Sequence, residues 1–171
     1  STEGVFGVAL GASASFIFLF CLLGALMAEI KADSVLIDIA VGIFGKGVGG
    51  PAKAAVLSSA LFGTISGSSL ANVTTTGTFT IPLMKKTGYE PEFAGAVEAT
   101  ASTGGQIMPP VMGAAAFIIA EFVGESYLTI CIAAALPALL YFIGVFTAVH
   151  VKAKASGLKG IPAEELPNVG E

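Results

Sequence analysis

Residues 53–86 read K-A-A-V-L-S-S-A-L-F-G-T-I-S-G-S-S-L-A-N-V-T-T-T-G-T-F-T-I-P-L-M-K-K, and the way this stretch is accommodated decides the fold. Positions 54–84 carry no charge, yet the centre is Gly, Ser, Thr and Asn rather than Leu and Phe. A charge-free run belongs in hydrocarbon or a deep core, and a polar, glycine-bearing centre does not stay there as unbroken lipid-facing helix. As one helix its 31 residues would reach about 46 Å, well beyond a hydrocarbon thickness of roughly 30 Å. Lys53 stands at one end, Lys85 and Lys86 at the other; lysines beside membrane segments collect on the cytoplasmic side, so the chain is expected to enter and leave by one face. A break at Ser66-Gly67-Ser68-Ser69 leaves arms 54–65 and 70–83 of about 18 and 21 Å, too short to cross. The expectation is a re-entrant helical hairpin over 52–85. Its tip reaches mid-membrane, where non-helical backbone is tolerated only if protein buries it or it lines a cavity.

The composition agrees. The chain is 54% hydrophobic and 12% charged, against about 25% charged in an average soluble domain, which places it among membrane proteins. A net charge of −4, with eight scattered lysines and no arginine, offers no basic patch and argues against nucleic acid. Cys21 and Cys131 fall inside apolar runs and read as small buried hydrophobes. The opening S-T-E-G lacks a basic n-region, so the apolar run after it is not expected to be a signal peptide. A piece of a longer polypeptide is expected.

Upstream of the hairpin, 5–28 is a charge-free run rich in Phe and Leu, reaching about 36 Å as helix, enough to span with some tilt. Gly7 and Gly11, at four-residue spacing, permit close helix approach. Over 32–45, Val35, Leu36, Ile39 and Ile43 recur at helical spacing with Asp33 and Asp38 at the flanks, which predicts a short amphipathic helix along the interface. G-K-G-V-G-G-P over 45–51 is a turn; it lacks the G-x-x-x-x-G-K-[ST] order of a phosphate cradle and follows no strand. Downstream, Glu90 ahead of Pro91 marks a helix start. That helix meets S-T-G-G-Q-I-M-P-P over 102–110, where each proline removes a donor and clashes with the carbonyl four residues back. It is expected to break there and resume over 111–122. The result is a broken span over 91–122 and a last span over 126–149, kinked at Pro137.

The predicted fold is thus an all-α membrane protein: one transmembrane repeat over 1–154, with spanning helices, a re-entrant helical hairpin and a broken transmembrane helix. Residues 155–171 read as a cytoplasmic linker. If the first span runs inward, all eight lysines share one face and only Glu3, Glu121 and Glu125 lie opposite. Two broken elements in succession point to the ion and substrate site of a secondary transporter. Breaks free carbonyls at helix C-terminal ends, suited to hard cations, and N–H groups at N-terminal ends, suited to anions. Ser66, Ser68, Ser69, Asn72 and the 74–76 threonines supply one set of polar groups around Gly67. Ser102, Thr103, Gly104, Gly105 and Gln106 supply the other. An isolated Thr in such helices more often bonds its own backbone.

S-G-S-S-L-A-N-V-T-T-T-G-T-F-T-I-P-L-M-K-K-T-G-Y, followed by F-A-G-A-V-E-A-T-A-S-T-G-G-Q-I-M-P-P-V-M-G-A-A-A-F, resembles the large membrane subunit of the tripartite ATP-independent periplasmic (TRAP) transporters. The likeness is strongest to the fused permeases of the TAXI branch and runs from about Leu23 to Pro167. The resemblance implies half of an elevator-type carrier of the ion-transporter superfamily, in the bacterial or archaeal cytoplasmic membrane. In that family two inverted repeats each give a hairpin and a broken helix, and a periplasmic binding protein delivers an organic acid. By that analogy Ser66, Gly67, Ser68, Ser69 and Asn72 form the first tip. Ser102, Thr103, Gly104, Gly105, Gln106 and Pro109 belong to the facing break. Ser66, Ser68, Asn72, Thr103 and Gly104 would hold a coupling Na⁺. Only one repeat is present, so the second inverted repeat must complete the site. No other cofactor and no catalysis are implied.

Glu98 has two readings. Near the cytoplasmic interface it would snorkel or pair with Lys85 or Lys86; alternatively it titrates, because intramembrane carboxylates are costly, and the coupling ion is then H⁺. An intramembrane serine hydrolase needs a base within reach of Ser66, Ser68 or Ser69, and the single histidine, His150, is expected far from mid-membrane. An ion channel subunit is the other alternative, since carbonyl-lined loops also serve channels.

Overall fold

The structure is a computed structural model that describes residues 32–158, Gly160 and Ile161, and isolated positions between 10 and 26. The first span expected over 5–28 lies largely outside the described residues, as does the linker beyond Ile161. The regular elements are all helical: α1 (Ala32–Phe44), α2 (Gly50–Ser66), α3 (Ser69–Lys86), α4 (Pro91–Gly104), a 3₁₀ turn (Gly105–Ile107), α5 (Ala114–Val123) and α6 (Tyr127–Ala155).

The charge-free stretch folds back on itself. α2 and α3, 17 and 18 residues long, reach about 26 and 27 Å, longer than the expected arms yet short of a roughly 30 Å hydrocarbon core. They run antiparallel, tied across by the Asn72 amide donating to the Ser59 carbonyl at 2.8 Å and by the Ser59 and Thr76 hydroxyls 3.3 Å apart. Pro51 lies in the first turn of α2, where a missing N–H leaves no bond unmade. Lys53 is not the solvated flank that the sequence suggested. It lies within α2, 9% exposed, its ammonium 5.4 Å from the centroid of the Phe146 ring.

α1 occupies the expected range and turns a second face inward. Ile37, Ala40 and Val41 pack on Ala54, with Leu57, Leu83 and Ile161 around them, whereas Val35, Ile39 and Ile43 are exposed. The small side chain of Ala40 permits the close approach that the branched Ile39 does not.

α4 packs against both arms of the hairpin, and α6 covers α2 and α4. Their shared core is built largely on alanine: Ala52, Ala55 and Ala60 of α2, Ala94 and Ala101 of α4, and Ala153 of α6, sealed by Met84, Phe142 and Val149. Small residues let membrane helices approach closely enough for dispersion contacts to hold them. α6 has 29 residues, about 43 Å, and is the one helix among the described residues long and apolar enough to cross a membrane. It runs through Pro137 without ending and continues to Ala155, past the expected 149. Lys152 and Lys154 occupy its last turn, where cations complement the carbonyl end of the helix. Beyond it, the Ile161 amide donates to the Gly45 carbonyl at 2.8 Å and pins the chain to the turn before α2.

Candidate functional site

The hairpin turns on two residues. Gly67 takes the left-handed conformation, φ +59°, and its N–H closes α2 on the Gly63 carbonyl at 3.2 Å. Ser68 is extended and its hydroxyl caps α3, accepting from the Ala71 amide at 3.2 Å. Opposite lies the second interruption. α4 tightens into the 3₁₀ turn, the chain passes through a cis Pro109–Pro110 bond, and Met112 adopts φ +52°. The Gly113 amide then donates to the Gln106 carbonyl at 2.7 Å, and α5 starts at Ala114. Tyr127, in the first turn of α6, aims its hydroxyl at carbonyls that the break frees, 2.9 Å from Pro110 and 2.5 Å from Val111. Its ring stacks on Phe117 of α5 at 4.3 Å. Both helices therefore brace the loop.

The two interruptions meet. A Cβ placed on Gly67 would lie 1.8 Å from the Met112 carbonyl oxygen, and one on Gly63 would lie 2.6 Å from the Gly105 Cα, so backbone seats on backbone at both points. The Gln106 amide donates to the Ser69 hydroxyl at 2.8 Å, joining break to tip through side chains. Beside this junction is a cavity of about 460 Å³ lined by Ser66, Gly67, Ser68, Gln106, Met112 and Gly113, among others. α3 and α5 begin at it and present N-terminal amides, the positive ends of their dipoles; α2 ends at it. The Ser66 hydroxyl is buried and has no hydrogen-bond partner among the described residues.

Of the expected site residues, Ser66, Gly67, Ser68 and Gln106 line this cavity and Ser69 is bound to Gln106. The five donors expected around Na⁺ do not share that lining. α4 runs about a turn further than expected, which places Thr103 on its exposed side with the hydroxyl returned to the Ala99 carbonyl at 2.7 Å. Gly104 lies under Tyr141 and Phe142, and Pro109 is half-buried within the loop. Asn72 is fully buried behind the tip. Its amide nitrogen is committed to the Ser59 carbonyl, its oxygen lies 3.1 Å from the Thr76 hydroxyl, and Gly105 packs against it.

Glu98 shows a correction to the interfacial reading. It is fully buried, while Lys85 and Lys86 are exposed at the end of α3. Its partners are four hydroxyls: Ser59 and Ser102 at 3.2 Å from Oε1, Thr76 also on Oε1, and Thr80 at 2.5 Å from Oε2. Ser59 and Thr80 were not singled out from the sequence. The signal was spacing: Asn72, Thr76 and Thr80 recur every four residues, as do Glu98 and Ser102, which puts each set on one helix face. Elsewhere the bland expectation for threonine holds, with the Thr64, Thr74 and Thr78 hydroxyls bonded to their own helices.

The tip–break bond can be tested by a double-mutant cycle. Gln106→Ala and Ser69→Ala are each expected to cost about 0.5–1.5 kcal/mol, with the pair costing little more than either alone, because both remove one hydrogen bond. Thermal unfolding in detergent measures it.

A helical hairpin seated on a broken helix, beside a long apolar helix, defines a membrane permease of the broken-helix kind. The sequence model of the family described as "Tripartite ATP-independent periplasmic transporter, DctM component" matches residues 3–171, and the chain belongs to that family. It is 34% identical over 149 residues to the C4-dicarboxylate TRAP transporter large permease protein DctM of Pseudomonas aeruginosa, covering 86% of this chain and 34% of that protein. To the protein of the same description from Vibrio cholerae it is 32% identical over 119 residues, 68% of this chain and 26% of that one. An uncharacterized protein of Sinorhizobium fredii, y4mL, is 32% identical over 121 residues, 71% and 28% of the two lengths. The chain thus spans about a third or less of these relatives.

Proposed function

We propose that this chain is one repeat of the permease of a cation-coupled secondary carrier, which takes up an organic acid delivered by a periplasmic binding protein. The observation that carries the reading is the seating of Gly67 on the Met112 carbonyl, which brings two helix interruptions to one cavity. The N-terminal ends of α3 and α5 suit a carboxylate, and with no arginine in the chain those amides and the Ser66 and Ser68 hydroxyls are its natural partners here. The C4-dicarboxylate in the names of two relatives supports a carboxylate substrate. The carbonyl end of α2 and the unpartnered Ser66 hydroxyl supply hard oxygen ligands of the kind Na⁺ takes. A second, inverted repeat elsewhere in the permease closes the other side of the cavity. A small membrane subunit and a periplasmic binding protein complete the transporter in the inner membrane, with the lysine-bearing loops cytoplasmic.

Reconstitution of the assembled transporter in proteoliposomes tests this. Uptake should saturate, require the binding protein and rise with an inward Na⁺ or H⁺ gradient. Binding-protein-independent conductance that does not saturate would instead identify a channel.

A further inference from the structure

We infer that Glu98 is a proton-binding site whose occupancy is relayed through the Thr76 hydroxyl to Asn72, at the crossing of the hairpin and the broken helix. The inference rests on the carrier reading above, but its site lies behind the cavity.

Glu98 is fully enclosed, and every group that bonds it is a hydroxyl. The charged and titratable groups on the elements around it stand elsewhere. On α2, Lys53 is six residues from Ser59, about 9 Å along the axis, and faces the Phe146 ring. On α3, Lys85 and Lys86 are exposed beyond Thr80; on α4 itself, Glu92 is exposed in the first turn. On α6, the Tyr141 hydroxyl donates to the Thr100 carbonyl and Cys131 faces Pro110; His150, Lys152 and Lys154 are exposed towards its far end. Among the described residues, therefore, no cation compensates a charge on Glu98. Hydroxyl donation offsets part of the cost of dehydrating it.

The hydrogens distinguish the two forms. When Glu98 is ionised, Ser59, Thr76 and Ser102 donate to Oε1 and Thr80 to Oε2. The Thr76 hydrogen is then spent on the carboxylate. Among the described residues the Thr76 hydroxyl is the donor in reach of the buried Asn72 side-chain oxygen, at 3.1 Å, and it also lies 2.9 Å from the Asn72 backbone carbonyl; while it bonds the carboxylate it serves neither. Uptake of one proton from solvent at Oε2 neutralises the carboxyl, which donates to the Thr80 oxygen. The Thr80 hydrogen turns to the Thr76 carbonyl, 3.0 Å away. Oε1 keeps the Ser59 and Ser102 donors, and the Thr76 hydrogen is released to Asn72, whose backbone carbonyl lies 2.9 Å and whose side-chain oxygen lies 3.1 Å from that hydroxyl. The Asn72 amide nitrogen faces Gly105, the first residue of the 3₁₀ turn, closely enough that a Cβ there would meet it at 3.2 Å, so the carboxamide beside Thr76 sits at the junction of the two interruptions.

Infrared difference spectra of the assembled transporter, across a pH step, should show a carboxylic-acid band in the wild type that Glu98→Gln removes. In proteoliposomes, accumulation driven by a pH gradient should fall by roughly ten- to a hundredfold in Glu98→Gln, the span of typical coupling between sites. Thr76→Val should keep the infrared band and lose the accumulation. Glu98→Gln or Thr76→Val that accumulates substrate like the wild type overturns the proposal. So does a wild type with no titrating carboxylic-acid band, a result that stands even if Glu98→Gln fails to fold. Wild-type transporter that takes up nothing under any gradient sinks the carrier reading instead, and the band still decides Glu98.

Discussion

Gly67→Ala is expected to unseat the hairpin from the broken helix and abolish saturable uptake. The added Cβ would meet the Met112 carbonyl oxygen at 1.8 Å and its carbon at 2.7 Å, and neither is a side chain that can turn aside. The residue also sits at φ +59°, a left-handed conformation that costs an L-residue about 1–2 kcal/mol. Forcing Met112 back adds overpacking of roughly 1–3 kcal/mol, so a loss of about 2–5 kcal/mol is expected. Met112 has little freedom to yield, since its amide is bonded to the Met108 carbonyl and its own φ is +52°. Gly144→Ala is the control. It lies inside α6 with nothing within 4 Å of the added Cβ, and should be neutral or stabilise by up to about 1 kcal/mol through helix propensity. Melting temperatures in detergent, read beside uptake, separate the two. If Gly67→Ala behaves like Gly144→Ala, the tip is not seated on the break as described.

The turn at Gly67 was legible because three facts agree within a few residues: no charge for 31 positions, a polar centre, and a glycine between serines. The break after α4 was legible from Gly104-Gly105 and Pro109-Pro110, although its start was placed too early. Ser102 and Thr103 favour neither helix nor loop strongly. What keeps them helical is partly local and partly tertiary: Ser102 bonds Glu98 one turn back in the same helix, and Gly104 lets α4 close under Tyr141 and Phe142. The inward-packed face of α1 was not legible for a related reason. Hydrophobic periodicity ranks Ile39 above Ala40, whereas close packing against an alanine-rich helix selects the smaller residue. The surroundings of Glu98 could not be read in any window, because its donors come from three helices separated by up to 43 residues of chain. Sequence exposed the suspicious carboxylate and the four-residue stripe of Asn72, Thr76 and Thr80; only the packing brings them face to face.

Gly63→Ala should be the second most damaging small change, through the other point where backbone meets backbone. Its Cβ would lie 2.6 Å from the Gly105 Cα and 3.6 Å from that residue's N and C atoms. The clash costs about 1–3 kcal/mol, against which the better helix propensity of alanine returns about 0.5–1 kcal/mol. A modest net loss of stability is therefore expected, with a larger loss of transport, because α2 must move away from the turn that Asn72 touches. Gly105→Ala approaches the same crossing from the other side, its Cβ 3.0 Å from the Gly63 Cα and 3.2 Å from the Asn72 amide nitrogen. Neither position has a side chain that could shrink in response, so one substitution cannot rescue the other. Instead, the double variant should lose more than the sum of the singles, with a coupling of about 0.5–3 kcal/mol as each Cβ meets the other. Additive melting shifts would mean that the two glycines do not face each other. Super-additive shifts, together with uptake that falls in the same order, would tie the height of this crossing to the geometry of the cavity beside it.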